Sequence, residues 1–232
     1  MTRIIRGVVF VGFACLLAAC VQTTAKQAPA ASFHFSSAEQ KRIAVIEPDV
    51  VLGELTASGM FEPRADWTGS AKSIIANGLK SEFGQRGIDV VYVDELTDLH
   101  HMQIARLHGV VGLAIVRHLY VPENKLPNKG TALDWTLGPG ANAIREAYDA
   151  DYALFIYVRD SYSTSGRVAL MIGAALLGVG VSGGHQSAFA SLVDMRTGNI
   201  VWFNVLQSAT GDLRTASSAQ STIAGLVKDI PL

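Results

Sequence analysis

The chain has 232 residues, 49% of them hydrophobic and 17% charged, with 19 Lys and Arg against 20 Asp and Glu for a formal net charge of −1. This balance, with no stretch that clusters basic residues, excludes the positive patch a nucleic-acid partner requires. Two cysteines exclude a disulfide framework, so stability has to come from a packed core, and the length suffices for one substantial domain or two small ones.

Arg3 and Arg6, the apolar run Gly7 to Leu16, and the small residues Ala18 and Ala19 give residues 1–19 the three parts of an export signal. The apolar stretch is too short to cross a hydrocarbon core, which takes about 20 residues as a helix. Leu17-Ala18-Ala19-Cys20 resembles the lipobox of bacterial lipoproteins. That resemblance implies cleavage before Cys20, acylation of its thiol and new amino terminus with chains such as palmitate, and a membrane partner held through the lipid. Val21 stands where lipoproteins kept in the inner membrane often carry aspartate, which implies an outer-membrane lipoprotein facing the periplasm. Loss of residues 1–19 removes two of the 19 basic residues and none of the 20 acids, leaving a formal charge of −3. Residues 20–37 read as the acylated cysteine and a flexible tether, rich in Ala, Thr, Gln and Ser and lacking either hydrophobic period.

Residues 38–232 read as a single α/β domain. Arg42 to Ile46 is a β-branched run stopped by Pro48, which predicts a buried strand, followed by a loop with Gly53, Gly59 and Pro63. Asp66 is placed to cap a helix to about Gln85, with Ile74, Ile75, Leu79 and Phe83 on one face and Gly87 as its stop. Ile88 to Val93 predicts a second strand, parallel to the first because a helix connects them. Residues 95–119 predict a helix broken near Gly109 or Gly112, and Gly140 to Tyr148 a short one. Asp151 to Val158 predicts an aromatic-rich strand. Ser187 to Met195 and Ile200 to Gln207, flanking Arg196-Thr197-Gly198-Asn199, predict an antiparallel hairpin, and Asp212 a cap for a last helix to about Lys228. The order β-α-β-α-α-β-β-β-α predicts a mixed sheet flanked by helices in two or three layers.

The lipobox, the polar tether, the Ile43-Ala44-Val45-Ile46 strand and a late hairpin with Leu192-Val193-Asp194 before its turn and Ile200-Val201-Trp202 after it together resemble the curli-secretion and penicillin-binding-protein-activator lipoproteins. Their folded domains are similar to the amino-terminal domain of the periplasmic TolB protein, and the whole chain resembles a group of uncharacterised proteobacterial outer-membrane lipoproteins. The resemblance implies a non-enzymatic interaction or assembly module of the cell envelope, whose partner is another envelope protein or a second copy.

Residues 168–184 carry no charge and are apolar, small and glycine-rich. Their length predicts a buried core helix or an apolar loop between strands. The functional alternative is a ring-forming or membrane-inserting element, by analogy with the curli-secretion channel. Gly178-Val179-Gly180-Val181-Ser182-Gly183 matches a dinucleotide-binding spacing but lacks the strand before and the helix after, so no cofactor is expected. His101 and His108 would share a helix face near His100, yet no third ligand follows, so no metal is expected, and a zinc-dependent envelope hydrolase is the fallback. No catalytic residues stand out. The hydroxyl-rich stretch Arg159 to Arg167 reads as a solvated loop, and Trp135, Arg159, Asp160 and Arg167 are the residues expected to line an interaction rim.

Overall fold

The computed structural model describes residues 22–27, 42–209 and 211–231. In chain order its strands are β1 (Gln22–Gln27), β2 (Ile43–Val45), β3 (Asp49–Leu55), β4 (Phe61–Pro63), β5 (Val90–Tyr92), β6 (Tyr152–Ser163), β7 (Gln186–Asp194) and β8 (Ile200–Ser208). The α-helices are α1 (Ala65–Arg86), α2 (Leu99–Ile115), α3 (Asn142–Tyr148), α4 (Ser165–Leu176) and α5 (Ala216–Leu226). All eight strands join one sheet, ordered β1-β8-β7-β6-β2-β5, with β3 pairing β6 and β4 pairing β3. β2 and β3 lie end to end along β6, Ile43 opposite Tyr152 and Asp49 opposite Tyr157, both parallel to it, while β7 runs antiparallel on its other side. The sheet is therefore mixed, and the fold is α/β.

β6 organises the core because its side chains alternate between two apolar layers. Leu154, Ile156 and Val158 face one layer, where α1 and α5 supply Ile75, Leu79, Phe83, Ile223 and Leu226. Ala153, Phe155 and Tyr157 face the other, where α2 and α3 supply Ile104, Ile115 and Ile144. Helices cover both faces, which decides the layer count at three.

The β2–α1–β5 unit pairs in parallel as its spacing predicts, and Gly87 ends α1 in the left-handed region at φ 67°. The β7–β8 hairpin also forms, its turn held by Asp194 Oδ1 accepting from the backbone of Arg196 at 2.8 Å and Thr197 at 3.3 Å. Elsewhere the chain departs from expectation. Residues 47–65, read as a loop, contain the β3–β4 hairpin, whose Gly53 leaves room for the Phe61 ring 2.6 Å from where a Cβ would sit. α2 runs unbroken through Gly109 and Gly112, because both glycines face the sheet and let the helix approach Tyr157 and Phe189. It closes in a π turn at Val116–Tyr120. Thr215, not Asp212, caps α5, and Asp212 instead accepts from the Arg214 backbone at 2.9 Å. α1 starts at Ala65 with no side-chain cap, Asp66 lying in its first turn. Six residues of the stretch read as tether form β1, paired antiparallel with β8 from Gln22 opposite Gln207 to Gln27 opposite Trp202.

Candidate functional site

The residues expected to form one rim lie at two ends of the sheet. Trp135 sits beside the β7–β8 turn, where its carbonyl accepts from the Ile200 backbone at 2.9 Å and the Lys129 ammonium lies 4.7 Å from its ring centre. Arg159, Asp160 and Arg167 belong to the opposite end, since Asp194 at the turn pairs with Tyr152 and Asp160 lies eight residues further along β6. At about 3.3 Å per residue that is roughly 26 Å. Cys20 lies outside the described residues.

Arg159 to Ser163 continue β6 rather than forming a solvated loop, and this sends neighbouring side chains to opposite faces. Arg159 pairs with Asp49, Nη1 to Oδ1 at 2.8 Å, and stacks on Tyr157 at 3.9 Å. Asp160 turns to the other face and is buried. Its Oδ2 accepts from the Tyr162 hydroxyl at 2.6 Å and from Gln186 Nε2 at 2.8 Å, and Gln186 Oε1 accepts from Thr222 at 2.9 Å. The Leu213 amide donates to the Tyr162 oxygen at 2.8 Å, closing a polar seam between the sheet and α5. Asp160 Oδ1 is buried without a partner. Burial pushes the Asp160 carboxyl up to about 6, against the lowering effect of its hydrogen bonds to Tyr162 and Gln186. Tyr162, Gln186 and Thr222 were not legible as partners of Asp160, since Gln186 lies 26 residues from Asp160 and Thr222 a further 36 along the chain.

Beyond β6 comes the largest departure from expectation. Residues 165–176 are helical, but none is buried, so the first part of the 168–184 segment read as a core helix or apolar loop is an exposed helix, and residues 177–184 are an apolar loop leading to β7. Thr164 caps it, accepting from the Arg167 amide at 3.2 Å. Arg167 fastens its base, donating to the Ser182 carbonyl at 3.1 and 2.7 Å and to the Ala57 carbonyl at 3.4 Å. Only Arg167, Met171 and Ala174 among its residues from Arg167 onward are partly covered. Ile172 is 60% exposed, Leu176 84% and Leu177 82%. Met60, 64% exposed, stands beside this base on the β3–β4 turn. No helix among the described residues is long and apolar enough to cross a membrane.

Two clefts flank these features. One, of about 440 Å³, lies between Phe61, Arg159, Arg167 and His185 at the base of α4. The other, of about 280 Å³, opens at the carboxyl ends of β2 and β5, a place where α/β sheets commonly take ligands. Its charges are paired with each other, Lys72 with Glu47 at 2.6 Å and Lys80 with Asp94 at 3.7 Å. Gly178 to Gly183 leaves a helix and enters a strand, the reverse of a dinucleotide-binding turn.

The histidines go to separate places. His108 is buried, its Nε2 2.8 Å from Ser191 Oγ and its ring stacked on Phe155 at 4.9 Å, and burial holds it down to about 3. His101 is buried against Tyr148, His100 Nε2 meets the Gly140 carbonyl at 3.2 Å, and His118 Nδ1 the Asn124 carbonyl at 2.6 Å. Among the described residues no three His, Cys, Asp or Glu side chains converge to hold a metal.

No protein-family model matches the chain, and no curated protein matches it. Among solved structures, two of the PelC dodecamer from Paraburkholderia phytofirmans are similar to it at 18% identity. One, of a single-residue variant, covers 90% of this chain and 96% of its own with a TM-score of 0.42, and the other covers 90% and 95% with a TM-score of 0.41.

Proposed function

We propose that this chain is a lipid-anchored, non-enzymatic module of the cell envelope that works by contact, presenting α4 and the turn after it to another envelope component. The observation that carries the reading is an apolar helix of which no residue is buried, on a chain that packs two apolar layers against its sheet and leaves a smaller exposed set, Leu99, Leu107, Val110, Leu113 and Val121, on α2 and the turn after it. Burying a leucine side chain is worth about 1.5–3 kcal/mol, so Leu176 and Leu177 each leave most of that gain unrealised in the isolated domain. A surface of this kind marks a contact with a protein or a membrane. Cys20, in its lipobox-like setting, supports the anchor and thereby the compartment.

Site-specific photo-crosslinking in intact cells tests the contact. A benzophenone residue at Ile172 or Leu176 should form adducts with envelope material, and one at exposed Ser81 on α1 should not. Equal, background-level labelling at all three positions would sink the reading. The anchor is tested separately by incorporation of an alkynyl palmitate, which should vanish in Cys20→Ala.

A further inference from the structure

We infer that the surface α4 presents is occupied by membrane lipid, so that the helix dips into the leaflet holding the anchor and fixes how the body stands on it. The inference rests on the anchored reading above and adds the identity of what the arm touches.

Strand register supplies the first support. Gln22 pairs with Gln207, Gln207 with Ser187, and Ser187 with Arg159. Three strand spacings of about 4.8 Å put Gln22 roughly 14 Å across the sheet from Arg159. Gln22 is the first described residue after Cys20 and follows it by two positions in the sequence. α4 leaves the sheet from the same end, because β6 runs from Arg159 toward Ser163 and Thr164 begins the helix. The β3–β4 turn is there too, Leu55 lying opposite Ser163 and Ala57 bonded to Arg167. Met60 and Phe61 at this turn, with six residues of α4 and its following turn, make eight of the thirteen exposed large hydrophobic residues among those described. The root of the anchor and most of the exposed apolar surface therefore share one end of the molecule.

The shape of the arm supplies the second. A groove on a protein takes one stripe of a helix, but a helix apolar on all sides suits a core or a bilayer. Val168, Ile172 and Leu176 form one line along α4 and Leu170 projects from the opposite flank, all exposed, while the partly covered line is Arg167, Met171 and Ala174. No charge interrupts residues 168–184. Twelve helical residues measure about 18 Å, enough to enter one leaflet of a hydrocarbon core about 30 Å thick without crossing it.

Depth-dependent quenching decides the matter on the full mature chain. Cys15 leaves with the leader and acylation blocks Cys20, so Ile172→Cys and Leu177→Cys each offer one thiol for a nitrobenzoxadiazole label. The acylated protein is bound to vesicles of phosphatidylethanolamine and phosphatidylglycerol. Labels at 172 and 177 should shift their emission to the blue, lose quenching by aqueous iodide and be quenched by nitroxide-bearing lipid, whereas a label in Ser81→Cys should behave in the opposite way. Iodide quenching at 172 and 177 on vesicle-bound protein overturns the inference and leaves the anchor standing. Shielding from both quenchers also overturns it, and assigns the surface to a second copy or another protein, with the contact module intact. A parent chain whose Cys20 takes the label overturns the anchored reading itself.

Discussion

Asp160 and His108 are buried titratable groups on opposite faces of the sheet, and they bias stability in opposite directions. The Asp160 carboxyl rises from 3.8 to about 6 in the folded chain, so the native state holds its proton more tightly than the unfolded one. Its contribution is therefore present at acid pH and is lost as pH climbs from about 4 to about 6, amounting to about 3 kcal/mol at 1.36 kcal/mol per unit. Asp160→Asn keeps the side-chain shape and removes the titration. Measured by urea unfolding, the variant should gain about 2 kcal/mol on its parent between pH 4.5 and pH 7.5. Parallel pH profiles for the two proteins would show that the carboxyl is not buried as described. His108 has the reverse sign, because burial lowers it from 6.5 to about 3 and the native state refuses a proton the unfolded chain accepts. Stability from this site is complete above about 6.5 and drains away as pH falls, by about 3 kcal/mol at pH 4.5. His108→Gln retains a hydrogen-bonding group for Ser191 and should lower stability at neutral pH while flattening the acid limb. A variant as acid-sensitive as its parent would place the loss elsewhere.

Elements were legible where their hydrophobic period was their own, and illegible where a neighbour decided the outcome. α1 and the β7–β8 hairpin carry complete patterns, ending at Gly87 and turning at Gly198, and both form where expected. The break expected in α2 failed because Gly109 and Gly112 serve tertiary approach, which no local rule records. An added Cβ at Gly112 would overlap the Phe189 ring, itself stacked between Tyr157 and Phe203 at 4.6 and 5.3 Å. Gly112→Ala should accordingly cost about 1–3 kcal/mol. Gly84, on α1 with open space around it, offers the matched comparison, and Gly84→Ala should add roughly 0.5–1 kcal/mol through helix propensity. Thermal denaturation of both variants separates the explanations, since equal shifts would mean that propensity alone governs Gly112. β3 and β4 were hidden by Gly53 and Pro63, which signal loops in sequence but here form part of a short hairpin under Phe61. β1 has no apolar alternation to read, only the polar Gln-Thr-Thr-Ala-Lys-Gln, because its position is set by the open edge of β8. The apolar composition of α4 favoured burial over the ring-forming or membrane-inserting alternative, because composition records how apolar a helix is and not whether its own domain covers it; here the domain does not. The same limit applied to the expected rim, where residues chosen for loop-like polarity fell on a strand that buried Asp160 and on the far end that holds Trp135.

The molecule as a whole is polar along its strands, with the β7–β8 turn and Trp135 at one end and α4 at the other. β1 determines how that axis is held. Because Gln22–Gln27 pair with β8, the chain leaving the proposed anchor joins the sheet almost at once, and the body cannot swing as freely as a disordered tether of the same length would allow. β1 also covers the β8 edge, whose other side is already paired with β7. Neighbouring amides on a strand point to opposite sides, so in Thr24→Pro, Ala25→Pro one of the two prolines necessarily removes a donor from the β1–β8 ladder. The β6–β7 and β7–β8 pairings do not involve β1, and the fold should survive with a loss of about 1–3 kcal/mol. Two consequences then separate the edge from the centre. Hydrogen exchange should accelerate in the β8 amides that β1 covers while β6 and β7 remain protected, and the uncovered β8 should promote concentration-dependent association, visible by light scattering, because an open apolar edge is a template for pairing. Loss of protection in β7 and β6 as well would mean that β1 is integral to the cooperative unit, and that the folded body begins within two residues of Cys20 rather than carrying β1 as a detachable brace.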